Sequence, residues 1–81
     1  MKEKLIETVG KVWRFLGQNG LTDIGKLAKA MKEKEDVVFQ AVGWLAREDK
    51  ISYTIKNRRT FVSLVAGELR AFNAAVYHMK K

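Results

Sequence analysis

No cysteine and no proline occur among the 81 residues, and histidine occurs once. Without cysteine, disulfides and thiolate metal sites are excluded. A chain that folds without a disulfide framework fits a reducing cytoplasm. Without proline, and with no low-complexity tract or repeat, nothing marks a linker on which to divide the chain, so residues 1–81 are expected as one small domain. No apolar run exceeds a few residues, so neither a signal peptide nor a membrane span is expected, and the cytoplasm is the expected location. The lone histidine, His78, has no second histidine, no cysteine and no convergent carboxylates beside it as metal ligands or as an acid–base pair. No glycine-rich phosphate loop follows a strand. Neither catalysis, nor a cofactor, a metal or a small-molecule substrate, is expected.

Negative charge is scarce too. Sixteen Lys and Arg stand against nine Asp and Glu, a net charge of +7. Such an excess favours polyanionic partners through counterion release, although a solubilising surface would give the same total. The distribution is uneven. Residues 1–30 carry six basic and three acidic groups, net +3; residues 31–50 carry four and five, net −1; residues 51–81 carry six and one, net +5.

Hydrophobic residues make up 47% of the chain, enough for one core. A domain of this size buries only about 60% of its unfolded surface, so its margin of stability is thin. Leu5, Val9, Val12, Trp13 and Leu16 recur at helical spacing, which predicts a helix from about Glu3 to Gly17, ended by Gly17-Gln18-Asn19-Gly20. Leu21-Thr22 is long enough for a bridge strand only. Thr22 or Asp23 can cap a second helix, which runs to about Met31 on Ile24, Leu27 and Ala28. A third helix starts near Glu35, buries Val38, Ala41, Val42 and Leu45, and ends around Glu48-Asp49. The period then changes. Ile51, Tyr53 and Ile55 alternate with polar residues, Lys56-Asn57-Arg58-Arg59 forms a polar turn, and Thr60–Leu64 is a second strand, so the two make a hairpin. A last helix covers about Ala66 to Met79. This order, with helices first and a β-hairpin before the final helix, is that of a winged helix-turn-helix domain of the mainly helical α+β class.

The stretch AVGWLAREDKISY, entered by a helix and followed by a basic hairpin, resembles a small bacterial winged helix-turn-helix family long catalogued as a domain of unknown function. The Gly43–Glu48 block and the Lys50-Ile51 step carry the resemblance, which extends from Leu5 to about Leu64. It implies the fold, and a homodimer as is common among small winged-helix proteins; it implies no activity. The Lys32-Glu33-Lys34 turn departs from the usual pattern of a glycine followed by a capping residue, which leaves Asp36 as the one acidic cap available to the third helix.

At 100° per residue the third helix turns Gln40, Gly43 and Arg47 away from the core. Gln40 can pair with adenine, Arg47 with guanine or a phosphate, and Gly43 would let a backbone approach closely. Simple solvation of both side chains is the competing reading. Glu35 and Asp36 favour the helix dipole and repel phosphates. Trp44 is expected to tuck beneath the hairpin, as large aromatics beside a core face generally do. Phe39 is harder to bury, and its exposure would point to a protein partner. Lys56, Asn57, Arg58 and Arg59 form a basic wing tip suited to phosphates or a minor groove. Lys26, Lys29, Lys32 and Lys34 line the second helix and its turn, where they can flank the groove. Tyr53 and Phe61 are expected in the core in preference to stacking on RNA.

On the last helix, Leu69, Phe72, Val76 and Met79 form a stripe that either pairs two copies across a two-fold axis or closes the chain's own core. The sequence therefore points to double-stranded DNA as partner and to a homodimeric transcription regulator. Its rival is a protein-interaction module that kept the fold without the groove contacts.

Overall fold

The first helix outruns the end set by its glycines, and the reason lies on another helix. The computed structural model describes residues 2–79, with the side chains of residues 3–77. Helix α1 spans Lys2–Asn19. Gly17 lies inside the helix with the Phe72 ring against it, and a Cβ there would stand 2.4 Å from the ring carbons, which accounts for the glycine. The stop comes at Gly20, whose φ of +73° suits a residue without Cβ. Its N–H donates to the Leu16 carbonyl at 2.8 Å.

Strand β1 (Thr22–Asp23) lies one residue later than the sequence suggests. Asp23 then caps α2 (Ile24–Met31), its carboxylate accepting from the Gly25 N–H at 2.8 Å. Lys32 ends α2 in the left-handed conformation, with φ 58°. The Glu33 N–H reaches back to the Ala28 carbonyl at 3.0 Å, which closes the helix end without a glycine. Helix α3 (Glu35–Arg47) has no side-chain cap from Lys34. Asp36 takes the Val37 N–H at 2.8 Å in its place. Asp49, at φ 57°, ends α3 in the same way as Lys32, with Lys50 N–H bonded to the Leu45 carbonyl at 2.9 Å.

Strands β2 (Ile51–Lys56) and β3 (Arg59–Leu64) pair antiparallel, from Ile51 opposite Leu64 to Lys56 opposite Arg59. β1 joins the far side of β3, so the sheet has three strands in the order β1-β3-β2. Directly opposed residues share a face. Ile51, Val62 and Leu64 sit on the buried face, over Val12, Leu16, Leu27, Val38, Ala41, Val42 and Leu45 from the three helices. The wing extends past this helical layer. Burial on β2 ends at Ile51, and Ile55, on the same face, is 77% exposed. Tyr53, expected in the core, is exposed for this reason, while Phe61 lies on the outer face and is half-buried.

Helix α4 (Ala66–Met79) closes the core against α1. Phe72 meets Trp13 edge-on at 5.4 Å, and Trp13 Nε1 donates to Glu68 Oε1 at 2.9 Å. Of the stripe set out for a dimer seam, Phe72 is thus buried within its own chain and Val76 packs half-buried on the same core. Leu69 remains 40% exposed. The side chains of Met79 and of His78 lie outside the described residues. Among the described residues no helix is long and apolar enough to cross a membrane.

Candidate nucleic-acid interface

Helix α3 fills its core face with Val38, Ala41, Val42 and Leu45, all buried. That packing turns Gln40, Gly43, Trp44 and Arg47 outward together, at the spacing of a single helical stripe. All four are exposed. Trp44 does not lie beneath the hairpin; it is 47% exposed. The core side of α3 is already occupied by Val38, Ala41, Val42 and Leu45. Phe39, beside this stripe, is 44% exposed.

Gly43 differs from Gly17. A Cβ at Gly43 would meet nothing within 4 Å. No contact among the described residues requires a glycine there, although mid-helix glycine costs about 0.5–1 kcal/mol relative to alanine. Gly43 lies in an open surface depression of about 400 Å³ whose lining, Gln40, Trp44, Arg47 and Glu48, comes from the exposed side of α3 alone.

The turn before α3 is held by one carboxylate. Glu33 accepts from Lys11 Nζ at 2.8 Å and pairs with Lys4 Nζ at 3.3 Å; Lys11 also pairs with Glu7 at 3.2 Å. The Lys11 hydrogen bond, helped by that of Lys4, holds the Glu33 carboxyl below the usual carboxylate range. Glu33, followed by Glu7, holds the Lys11 ammonium above the usual lysine range. This clamp fixes the start of α3 on α1. No local spacing signals it, because Lys11 and Glu33 stand 22 positions apart.

The clamp engages two α1 lysines, whereas Lys26, Lys29, Lys32 and Lys34 on α2 and its turn are exposed. So are Lys56, Asn57, Arg58 and Arg59 of the wing. Asn57 and Arg58 form a two-residue turn with φ of 52° and 63°. Two-residue hairpin turns with positive φ at both positions favour Asn-Gly, so the arginine replaces the residue that local sterics prefer. Lys56 lies directly opposite Arg59, a like-charge cross-strand pair. Arg59 has a partial answer that the sequence did not reveal, since its Nη1 lies 3.8 Å from Asp23 Oδ2. Arg58 has no such ion pair among the described residues. The elements thus bring the α3 stripe, the α2 lysines and the wing into one winged helix-turn-helix arrangement.

A family profile described as "Winged helix-turn-helix domain (DUF2582)" matches residues 1–64. The uncharacterized protein MJ1608 of Methanocaldococcus jannaschii is 38% identical over 61 residues, covering 73% of this chain and 86% of its own. Among solved structures, an apo mutant of ZitR from Lactococcus lactis, described as a zinc-responsive MarR family member, superposes with a TM-score of 0.79 at 18% identity. That match covers 98% of this chain, which spans 61% of the ZitR chain. The Zalpha domain of Carassius auratus PKZ, solved in complex with Z-DNA, has a TM-score of 0.64 at 20% identity, with 75% of this chain and 97% of that one covered. At these identities the two structures establish the winged-helix fold.

Proposed function

The chain belongs to the winged helix-turn-helix family DUF2582, and from that premise we propose that it is a DNA-binding protein of the cytoplasm, acting as a small transcription regulator without catalysis of its own. The observation that carries this reading is the outward stripe of α3. Gln40 and Arg47 flank a glycine that nothing among the described residues requires. Gln and Arg are the side chains suited to adenine and guanine edges, and a bare helix backbone at Gly43 admits close approach. Arg58 at the wing tip, with Asn57 and Arg59 beside it, and Lys29, Lys32 and Lys34 supply phosphate contacts on either side. The fold is shared with a domain that was solved holding Z-DNA.

A homodimer would place two α3 helices on successive half-sites, about 34 Å apart. Leu69, 40% exposed, is the residue of the expected stripe whose described side chain is available to such a seam. Phe72 is a poor test of it, because it holds α4 to α1. Leu69→Glu should lower a dimeric mass to that of the monomer in light scattering; an unchanged dimer would place the seam elsewhere.

The deciding measurement is binding to random-sequence duplex DNA across a range of salt. A log–log slope of several units is expected. No binding at low salt by the folded protein would sink the reading. The exposed Phe39 and Trp44 support a second one, a protein-interaction module anchored on these aromatics.

A further inference from the structure

Trp44 stands within the stripe that the DNA reading assigns to bases, and an intact duplex offers it little. In a paired helix the base faces are stacked and only their edges reach the groove. An indole presents its own face, which finds its best partner in a base that has left the stack. We infer that the hollow over Gly43 accepts one unpaired nucleobase, stacked on Trp44. This rests on the nucleic-acid reading above and narrows it to strands with an unstacked base.

The hollow fits that occupant. It is an open depression of about 400 Å³ on one helix face, room for a flat ring laid against Trp44 with its far side toward solvent. Gly43 leaves its floor without a side chain. Gln40 offers an amide that both donates and accepts, Arg47 offers donors, and the Glu48 carboxylate accepts from an exocyclic amino group. One cation and one carboxylate in the lining cancel, which disfavours a bare phosphate and suits a neutral polar ring. The phosphates on either side fall to the exposed cations of the α2 turn and wing, in a chain of net charge +7. Base–aromatic stacking is worth about 5- to 150-fold in affinity per base.

The experiment compares three probes of the same sequence: a single-stranded oligonucleotide, the perfect duplex, and the duplex with one bulged adenine. Binding is followed by anisotropy and by tryptophan emission. The Trp44→Phe variant separates Trp44 from Trp13, and thermal melts confirm that each variant folds. Single-stranded and bulged probes should bind at least about 5-fold tighter than the perfect duplex and quench Trp44 emission. Trp44→Ala should abolish the preference, Gly43→Ala should shrink it by filling the floor, and Trp44→Phe should keep most of it. Equal or weaker binding of the unpaired probes, or a preference that survives Trp44→Ala, would overturn the base site while leaving duplex binding standing. If no probe binds, both readings fall, and Trp44 with Phe39 becomes a protein anchor.

Discussion

The outward face of α3 and the tip of the wing break local rules in opposite directions. Gly43 is a glycine where a helix prefers alanine and nothing packs on it. Arg58 is an arginine where a two-residue turn prefers glycine, at φ 63°. One site removes a side chain and so opens space; the other holds a long cation in a strained backbone. Each departure weakens the fold, and neither is compensated among the described residues. Sites that sacrifice local stability are where function is expected. Under the proposed nucleic-acid function the two regions take different tasks: close recognition at α3, and long-range attraction at the wing.

Four outcomes would break or sharpen that division. The largest effect belongs to α3. Arg47→Ala should weaken binding by about 1–3 kcal/mol and relax preference at a single position of the site, read by competition among sequence variants. A uniform loss across sequences would move Arg47 to the phosphate class. Next, neutralising Arg58 and Arg59 together should lower the salt slope by up to about 2 without changing sequence preference. The Asp23 contact of Arg59 makes the smaller share of this drop fall to Arg59. The two rule-breaking residues provide the third outcome. Gly43→Ala and Arg58→Gly should each stabilise the fold by about 0.5–1 kcal/mol, a rise in Tm of roughly 2–8 °C, while weakening nucleic-acid binding. A variant that stabilises and binds as before would remove that region from the interface.

The smallest effect is on pH dependence and touches neither surface directly. Glu33 has its folded pKa below the unfolded one, so its contribution is complete above the ordinary carboxylate range and fades as pH falls through the lowered value. Lys11 is raised, so its contribution is complete below the ordinary lysine range and fades as pH rises through the raised value. Glu33→Gln should flatten the stability–pH profile at both ends, measured by thermal melts. An unaltered acid limb would show that the clamp adds nothing to the fold.

Most of the fold was legible because it is periodic. The three-four spacing of Val38, Ala41, Val42 and Leu45 set the buried side of α3, and the alternation from Ile51 to Ile55 set β2. What escaped had no local signal. Trp44 sits beside the core on a helical wheel yet is 47% exposed, because the wheel does not say whether a neighbouring element covers that flank. Gly17 looked like a helix end and is a contact surface for a ring some 55 residues later in the chain, Phe72. Lys32 and Asp49 take left-handed conformations that glycine normally signals, so both helix ends lacked the usual marker. The outward placement of Gln40, Gly43 and Arg47 followed from helical periodicity; the Glu33 contacts at the start of α3 did not, because its lysines are distant in sequence.

Gly17 has a last consequence for how this chain relates to its kin. The family profile ends at residue 64, where β3 ends, and α4 lies wholly beyond it. The seat for that additional helix, however, is cut into the shared part, at Gly17 and Trp13 on α1. A single methyl group at position 17 would close the seat. Relatives with a larger residue there should carry their final segment elsewhere or have none, so one position in α1 forecasts the architecture of a tail that the shared profile does not reach.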